Sequence, residues 1–136
     1  MIRQLLTDAK TVAVVGASSD PSRPSHGIFA QLLAFGYRVV PVNPGEDAVL
    51  GQVAYPSLAE VPFEVDIVDV FRRAEFTLEV AEAAVAKGAK VLWLQSGIRN
   101  EAAAERAKAA GLVVVMDACI GVLHSILHVP RRVQPT

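Results

Sequence analysis

The feature that most constrains this chain is a strand that turns at a glycine straight into a helix. The apolar run Val12-Ala13-Val14-Val15 ends at Gly16 and opens into Ala17-Ser18-Ser19-Asp20-Pro21-Ser22-Arg23-Pro24-Ser25, and an apolar helical segment, Gly27 to Leu33, follows. A short, continuous, β-branched run reads as a strand buried on both faces. The turn that follows brings backbone N–H groups and a helix N-terminus to one point, the arrangement that holds phosphate in Rossmann-type units. The dinucleotide spacing Gly-x-Gly-x-x-Gly is missing. In its place stands a longer loop containing Ser18, Ser19, Ser22 and Ser25, Arg23, and two prolines. This points to a nucleotide ligand whose phosphates are held partly by side chains, and away from ordinary NAD.

The same alternation continues. Gly36 stops the first helix, and Tyr37 to Val42 is a second strand closed by Asn43-Pro44-Gly45. Residues 46–65 are irregular, with Ser57-Leu58-Ala59-Glu60 patterned as a capping box for a short helix. Asp66 to Phe71 is a strand. Ala74 to Lys87 is a helix, with Phe76, Val80, Ala84 and Lys87 spaced for one face and Gly88 as its stop. Lys90 to Leu94 is a strand, Asn100 caps a helix running to Ala110, and Leu112 to Met116 is a strand. Ile120 to His128 reads as a short helix and Pro130 to Thr136 as a tail. Strands interleaved with helices mean βαβ units. The expected fold class is therefore α/β: a Rossmann-like, doubly wound, mainly parallel sheet with helices on both faces. In such sheets ligands bind beyond the carboxyl ends of the strands. That directs attention to residues 16–25, 43–45, 71–73, 95–99 and 117–121.

Composition narrows the function classes. A length of 136 residues fits one domain spanning 1–136. A net charge of −1 leaves no broad basic surface for nucleic acid. No apolar stretch approaches the roughly 20 residues of a membrane span. The single cysteine excludes an internal disulfide and suits a reducing compartment. The expectation is a soluble, cytoplasmic protein that binds neither nucleic acid nor membrane.

Each candidate position has two readings. Gly16 either lets a phosphate approach the backbone or serves only the turn. Ser18, Ser19, Ser22 and Arg23 suit phosphate oxygens, while Arg23 in a loop is otherwise solvated. Ser25 is either a phosphate contact or the helix N-cap. Val42-Asn43-Pro44 lacks the acidic residue that holds a ribose in NAD sites, so an adenine end would meet an apolar and amide surface. Of Arg72 and Arg73, one is expected at a phosphate or carboxylate and the other beside Glu75 or Glu79. Gln95-Ser96-Gly97 either hydrogen-bonds an amide-bearing ligand arm or leads to the Asn100 cap. Trp93 reads as core. Cys119 has no recognisable activating base. His26, His124 and His128 lack metal spacing, although His124 and His128 would share a helix face.

Taken together, Val12 to Ser18, Gly36 to Pro44, Val65 to Arg73, Lys90 to Ile98 and Ala110 to Asp117 resemble the small stand-alone CoA-binding proteins. These are similar to the N-terminal domain of the succinyl-CoA synthetase α subunit. The resemblance runs from about residue 5 to residue 128. It implies that Gly16, Ala17, Ser18 and Ser19 form the turn for CoA phosphates, with Arg23 in its extension. It implies that Val42, Asn43 and Pro44 border the adenine, and that Phe71, Arg72, Gln95, Ser96 and Gly97 line the pantetheine. Where the synthetase has a lysine that touches CoA, this chain has Glu46. Where family members have Asp-Arg-Cys and a glutamate before the histidine, it has Asp117-Ala118-Cys119 and Leu123-His124. The synthetase's phosphohistidine and ligase domains have no counterpart here, which argues against ligase activity by this chain alone.

The leading expectation is a protein that binds coenzyme A or an acyl-CoA without evident catalysis, with a protein partner or a second copy of itself as company. The alternatives are a small NAD(P)-dependent oxidoreductase, a subunit of an acyl-CoA-converting enzyme, or an interaction module that binds no nucleotide.

Overall fold

A computed structural model describes residues 1–131. Its strands in chain order are β1 (Thr11–Val15), β2 (Arg38–Val42), β3 (Ala48–Val49), β4 (Gln52–Val53), β5 (Ile67–Val70), β6 (Val91–Leu94) and β7 (Val113–Val115). The helices are α1 (Ile2–Asp8), α2 (Pro24–Ala34), α3 (Thr77–Lys87), α4 (Glu101–Ala109) and α5 (Ile120–Ile126). Five strands make one parallel sheet in the order β2-β1-β5-β6-β7, and β3 and β4 pair as a separate antiparallel ribbon. The chain winds from β1 outward to β2, then returns across β1 to β5. Strand order therefore reverses between β1 and β5, which is where loops part and leave a crevice.

Both faces of the sheet are covered, which is why its strands are apolar at successive positions. One face presents Ala13, Val15, Val68, Val70, Leu92 and Leu94 to Ala81 and Ala84 of α3 and Ala103 and Ala107 of α4. The opposite face presents Val12, Val14, Ile67 and Trp93 to Leu6 of α1, Phe29 and Leu32 of α2, and Ile120 of α5. Trp93 is core, as its place within a strand implies, and its indole N–H donates to the Ala118 carbonyl at 2.9 Å.

The sheet and its helices match the expected architecture, with four local departures. Helix α1 and the β3–β4 ribbon have no counterpart in the expected element order; both are too short to carry a clear periodicity. Ser57 stands at the start of a 3₁₀ turn, Leu58–Glu60, and its side chain caps nothing. The α3 segment opens as a 3₁₀ turn, Ala74–Phe76, and its buried face is Thr77, Ala81 and Ala84. That face is rotated by about one residue from the expected one because Thr77 turns inward and donates to the Ala74 carbonyl at 2.6 Å, leaving Phe76 exposed. Helix α5 ends at Ile126, so His128 lies beyond it, exposed and at φ 53°, whereas His124 is buried and stacked on Phe35. The two histidines do not share a helix face. Of the expected tail, residues 132–136 lie outside the described residues.

Candidate functional site

A cleft of about 720 Å³ opens along the carboxyl ends of the sheet. It is lined by Gly16 and Ser18 after β1, Arg23, Pro24, Ser25 and Ile28 at the start of α2, and Asn43 after β2. Its other wall is Phe71 and Arg72 after β5, Gln95, Ser96 and Ile98 after β6, and Cys119 after β7. All five strands of the sheet thus contribute through the residues that follow them. Two guanidinium groups and no carboxylate line the cleft.

The loop after β1 is held by its own polar groups. The Asp20 carboxylate accepts from the Ser22 N–H at 2.9 Å and the Ser22 hydroxyl at 2.8 Å, and these hydrogen bonds hold its carboxyl below the usual range. Asp20 N–H donates to the Ser18 hydroxyl at 3.0 Å, and the Ser18 carbonyl lies 2.9 Å from Nδ1 of His26. Pro24 takes the first position of α2, where a missing N–H is harmless. Ser25 follows it inside the helix, so Arg23 rather than Ser25 occupies the N-cap position. Ser25 is only 4% exposed, and its hydroxyl makes no hydrogen bond among the described residues.

Gly16 is required by the fold itself. Its φ is 89°, and a Cβ there would lie 2.4 Å from the Phe71 carbonyl oxygen. The loops after β1 and β5 pack backbone to backbone at the switch point, so the space a side chain would fill is taken by protein rather than kept open for a phosphate. A Gly16→Val variant therefore reads folding before it reads ligand affinity.

Other expected residues fall outside the main cleft. Ala17 is fully buried, and its carbonyl accepts from Nδ2 of Asn43 at 2.8 Å. Ser19 is exposed, and its N–H donates to the Glu46 carboxylate at 2.8 Å, which lowers the pKa of Glu46. Glu46 thus occupies one of the backbone donors expected for phosphate. Val42 and Pro44 line a second cavity of about 140 Å³ with Leu58, Val80 and Glu79, and Arg72 belongs to both cavities. Gly97 is spent on structure, its N–H donating to Oδ1 of Asp117 at 2.6 Å. The two arginines divide: Arg72 faces the cleft with its guanidinium 5.2 Å from the Phe76 ring, and Arg73 pairs with Glu75 at 3.9 Å on the surface.

The far end of the cleft is more firmly built. Gln95 is 4% exposed, and its Oε1 accepts from the Ile120 N–H at 3.1 Å. Its Nε2 makes no hydrogen bond among the described residues. Cys119 is half-buried beside it. Of the residues that line the cleft, Ile28 alone lies outside the post-strand stretches that the sequence singles out. Ile28 lies three residues from Ser25 and hence on the same helical face, a signal that periodicity carries. Ile98 and Cys119 fall within the stretches 95–99 and 117–121, and no activating base beside Cys119 is visible in the sequence.

Sheet order and cleft define a class: a Rossmann-like domain that takes its ligand across the ends of parallel strands. Residues 10–125 match the CoA binding domain family, and the chain belongs to it. It is 42% identical over 125 residues to the uncharacterized protein YneT of Bacillus subtilis, covering 92% of this chain and 93% of that one. A hypothetical protein from Pyrococcus horikoshii superposes with a TM-score of 0.91 at 41% identity, over 93% of this chain and 89% of that one. The α subunit of the ADP-forming acetate–CoA ligase I of Pyrococcus furiosus is 36% identical over 98 residues, 68% of this chain but only 21% of the subunit. The likeness to the ligase is therefore to one part of a much longer protein. No described helix is long and apolar enough to cross a membrane.

Proposed function

We propose that this protein binds coenzyme A, or an acyl-CoA, in the 720 Å³ cleft and performs no catalysis of its own. The observation that carries the reading is a pair of nearly buried polar side chains on its walls, Ser25 and Gln95, whose hydroxyl and Nε2 have no hydrogen-bond partner among the described residues. Both side chains line the cleft, so their donors are free to pair with an acceptor on a ligand at each place. A phosphate at the first turn of α2 meets Ser25, the helix dipole and Arg23. The amide carbonyls of a pantetheine arm meet Gln95 and Ser96. The adenine turns toward Val42, Asn43 and Pro44, where the smaller cavity adjoins through Arg72. This reading puts the protein in the cytoplasm, and the ligase relatives make a larger protein partner reasonable.

NAD suits these walls less well. The first acidic residue after β2 is Glu46, whose carboxylate is already engaged by the Ser19 N–H, and Asp47 follows it outside both cavities. Calorimetry at low salt should show CoA binding at least about tenfold tighter than NAD, a difference of roughly 1.4 kcal/mol. NAD binding as tight as CoA would overturn the reading. Arg23→Ala should weaken CoA by about fivefold to tenfold, or roughly 1–1.4 kcal/mol, and flatten the salt dependence because one ionic contact is gone.

A further inference from the structure

The cysteine at the far end of the cleft has no part in the binding just described. Cys119 is the single cysteine of the chain, it is half-buried, and it lines the cleft after β7. The phosphate-facing residues Ser18 and Ser25 lie after β1. From β1 to β7 the sheet takes three steps, through β5 and β6, and at about 4.8 Å per step the span is roughly 14 Å. The arm of coenzyme A from pyrophosphate oxygen to sulfur has about twelve bonds in line. That equals about four extended residues, again roughly 14 Å.

A second observation lies beside the cysteine. The Oε1 of Gln95 accepts from the N–H of Ile120, the residue after Cys119, which leaves Nε2 of this nearly buried side chain as an unfilled donor on the same cleft wall. An amide carbonyl of the arm at this donor fixes the last few bonds of the ligand, and the sulfur then comes to rest by Cys119.

We propose that Cys119 exchanges disulfides with the thiol end of the ligand, so that a disulfide of coenzyme A is captured as a mixed disulfide with the protein. This rests on the reading that the cleft takes coenzyme A. The Cys119 thiolate attacks the sulfur of the bound CoA half. The Cys119–S–S–CoA bond forms and the original S–S bond breaks. The departing half leaves as a thiolate and takes up the proton that Cys119 gave. Cys119 is oxidised, the departing thiol is reduced, and no other oxidant is required. Holding the two sulfurs together replaces a bimolecular encounter by an intramolecular one, so capture is faster than for a disulfide the cleft does not hold.

The test uses the reduced, desalted protein and intact-mass spectrometry. With one cysteine, an adduct of one CoA per chain identifies its own position. CoA disulfide should label at least about tenfold faster than glutathione disulfide at equal concentration, as expected for a proximity effect. Saturating S-methyl-CoA, which cannot exchange, should slow the labelling, and dithiothreitol should reverse it. Calorimetry of reduced CoA, with reductant present, is run in parallel. Binding in the calorimeter with labelling no faster than by glutathione disulfide overturns the capture proposal alone. No binding in the calorimeter overturns the CoA reading and the capture proposal with it.

Discussion

The two faces of the sheet are packed to different ends. On the α3/α4 face the contacts are small and complete: Ala81, Ala84, Ala103 and Ala107 are all fully buried against valines and leucines. The α1/α2/α5 face carries the large side chains Phe29, Phe35, Tyr37 and Trp93, and with them two polar groups that nothing satisfies. Asp69 of β5 stands between Val14 and Trp93 in register, with both carboxylate oxygens buried and unpartnered. Alternation along β5 puts it on the Ile67 side of the sheet. His124 of α5 stacks on Phe35 at 3.6 Å with its Nε2 also unpartnered. The face with these defects is the one whose helices, α2 and α5, begin at the cleft. Close packing is kept on the α3/α4 face, and unfavourable groups are tolerated on the face whose helices α2 and α5 begin at the cleft.

Added volume should hurt the alanine face most. Ala84→Leu inserts three carbons where there is no room and should lower stability by about 3 kcal/mol. Urea unfolding would check this, and an unchanged midpoint would mean that the α3 layer is looser than described. On the other face a change of residue should help. Asp69→Val removes an unsatisfied buried carboxyl and should raise stability at neutral pH by about 1–3 kcal/mol.

The same residue sets a pH dependence. Burial pushes Asp69 well above its ordinary value of 3.8. Above that pH the unfolded chain ionises there while the folded chain keeps the proton, so stability falls as pH rises toward the folded value, by at most about 1.4 kcal/mol per unit. His124 has the opposite sign: burial first, then Arg131, lowers it from 6.5. Below that pH the unfolded chain takes up the proton first, and stability falls as pH falls. Between about pH 4 and 6.5 the two slopes oppose each other. Denaturation curves across this window should show Asp69→Val gaining a slope that rises with pH, which His124→Leu in the same background removes. An unchanged slope in Asp69→Val would refute the account of its carboxyl.

The smallest effect belongs to the alanine face again. Asn100 caps α4 by accepting from Ala103 N–H at 3.1 Å and ties it to the start of the α3 segment by donating to the Ala74 carbonyl at 2.9 Å. Asn100→Ala should lower stability by about 1 kcal/mol, read from the thermal midpoint.

Much of this was legible in the residues themselves. Parallel strands buried on both sides show as unbroken apolar runs, and Asn100, Gly36 and Gly88 mark helix ends by local chemistry. The cleft was legible as a set of post-strand positions, because topology alone brings the ends of five parallel strands together. What could not be read was tertiary. Gly16 is fixed by the Phe71 carbonyl, some fifty residues away in sequence. Ala17, Ser19 and Gly97 are occupied by Asn43, Glu46 and Asp117. Thr77 faces inward although an apolar Phe76 stands next to it.

The contact between α2 and α5 has a mechanical consequence. A Cβ at Gly121 would lie 1.9 Å from Oε1 of Gln31, so the end of the Gln31 side chain fills the place of a side chain at position 121 and joins the two helices. One carries Ser25, and the other begins directly after Cys119. Because close-packed interiors transmit strain, a shift of α2 at its Ser25 end is passed through the Gln31 amide to the start of α5 beside Cys119, and a methyl group at position 121 would have to turn that amide aside.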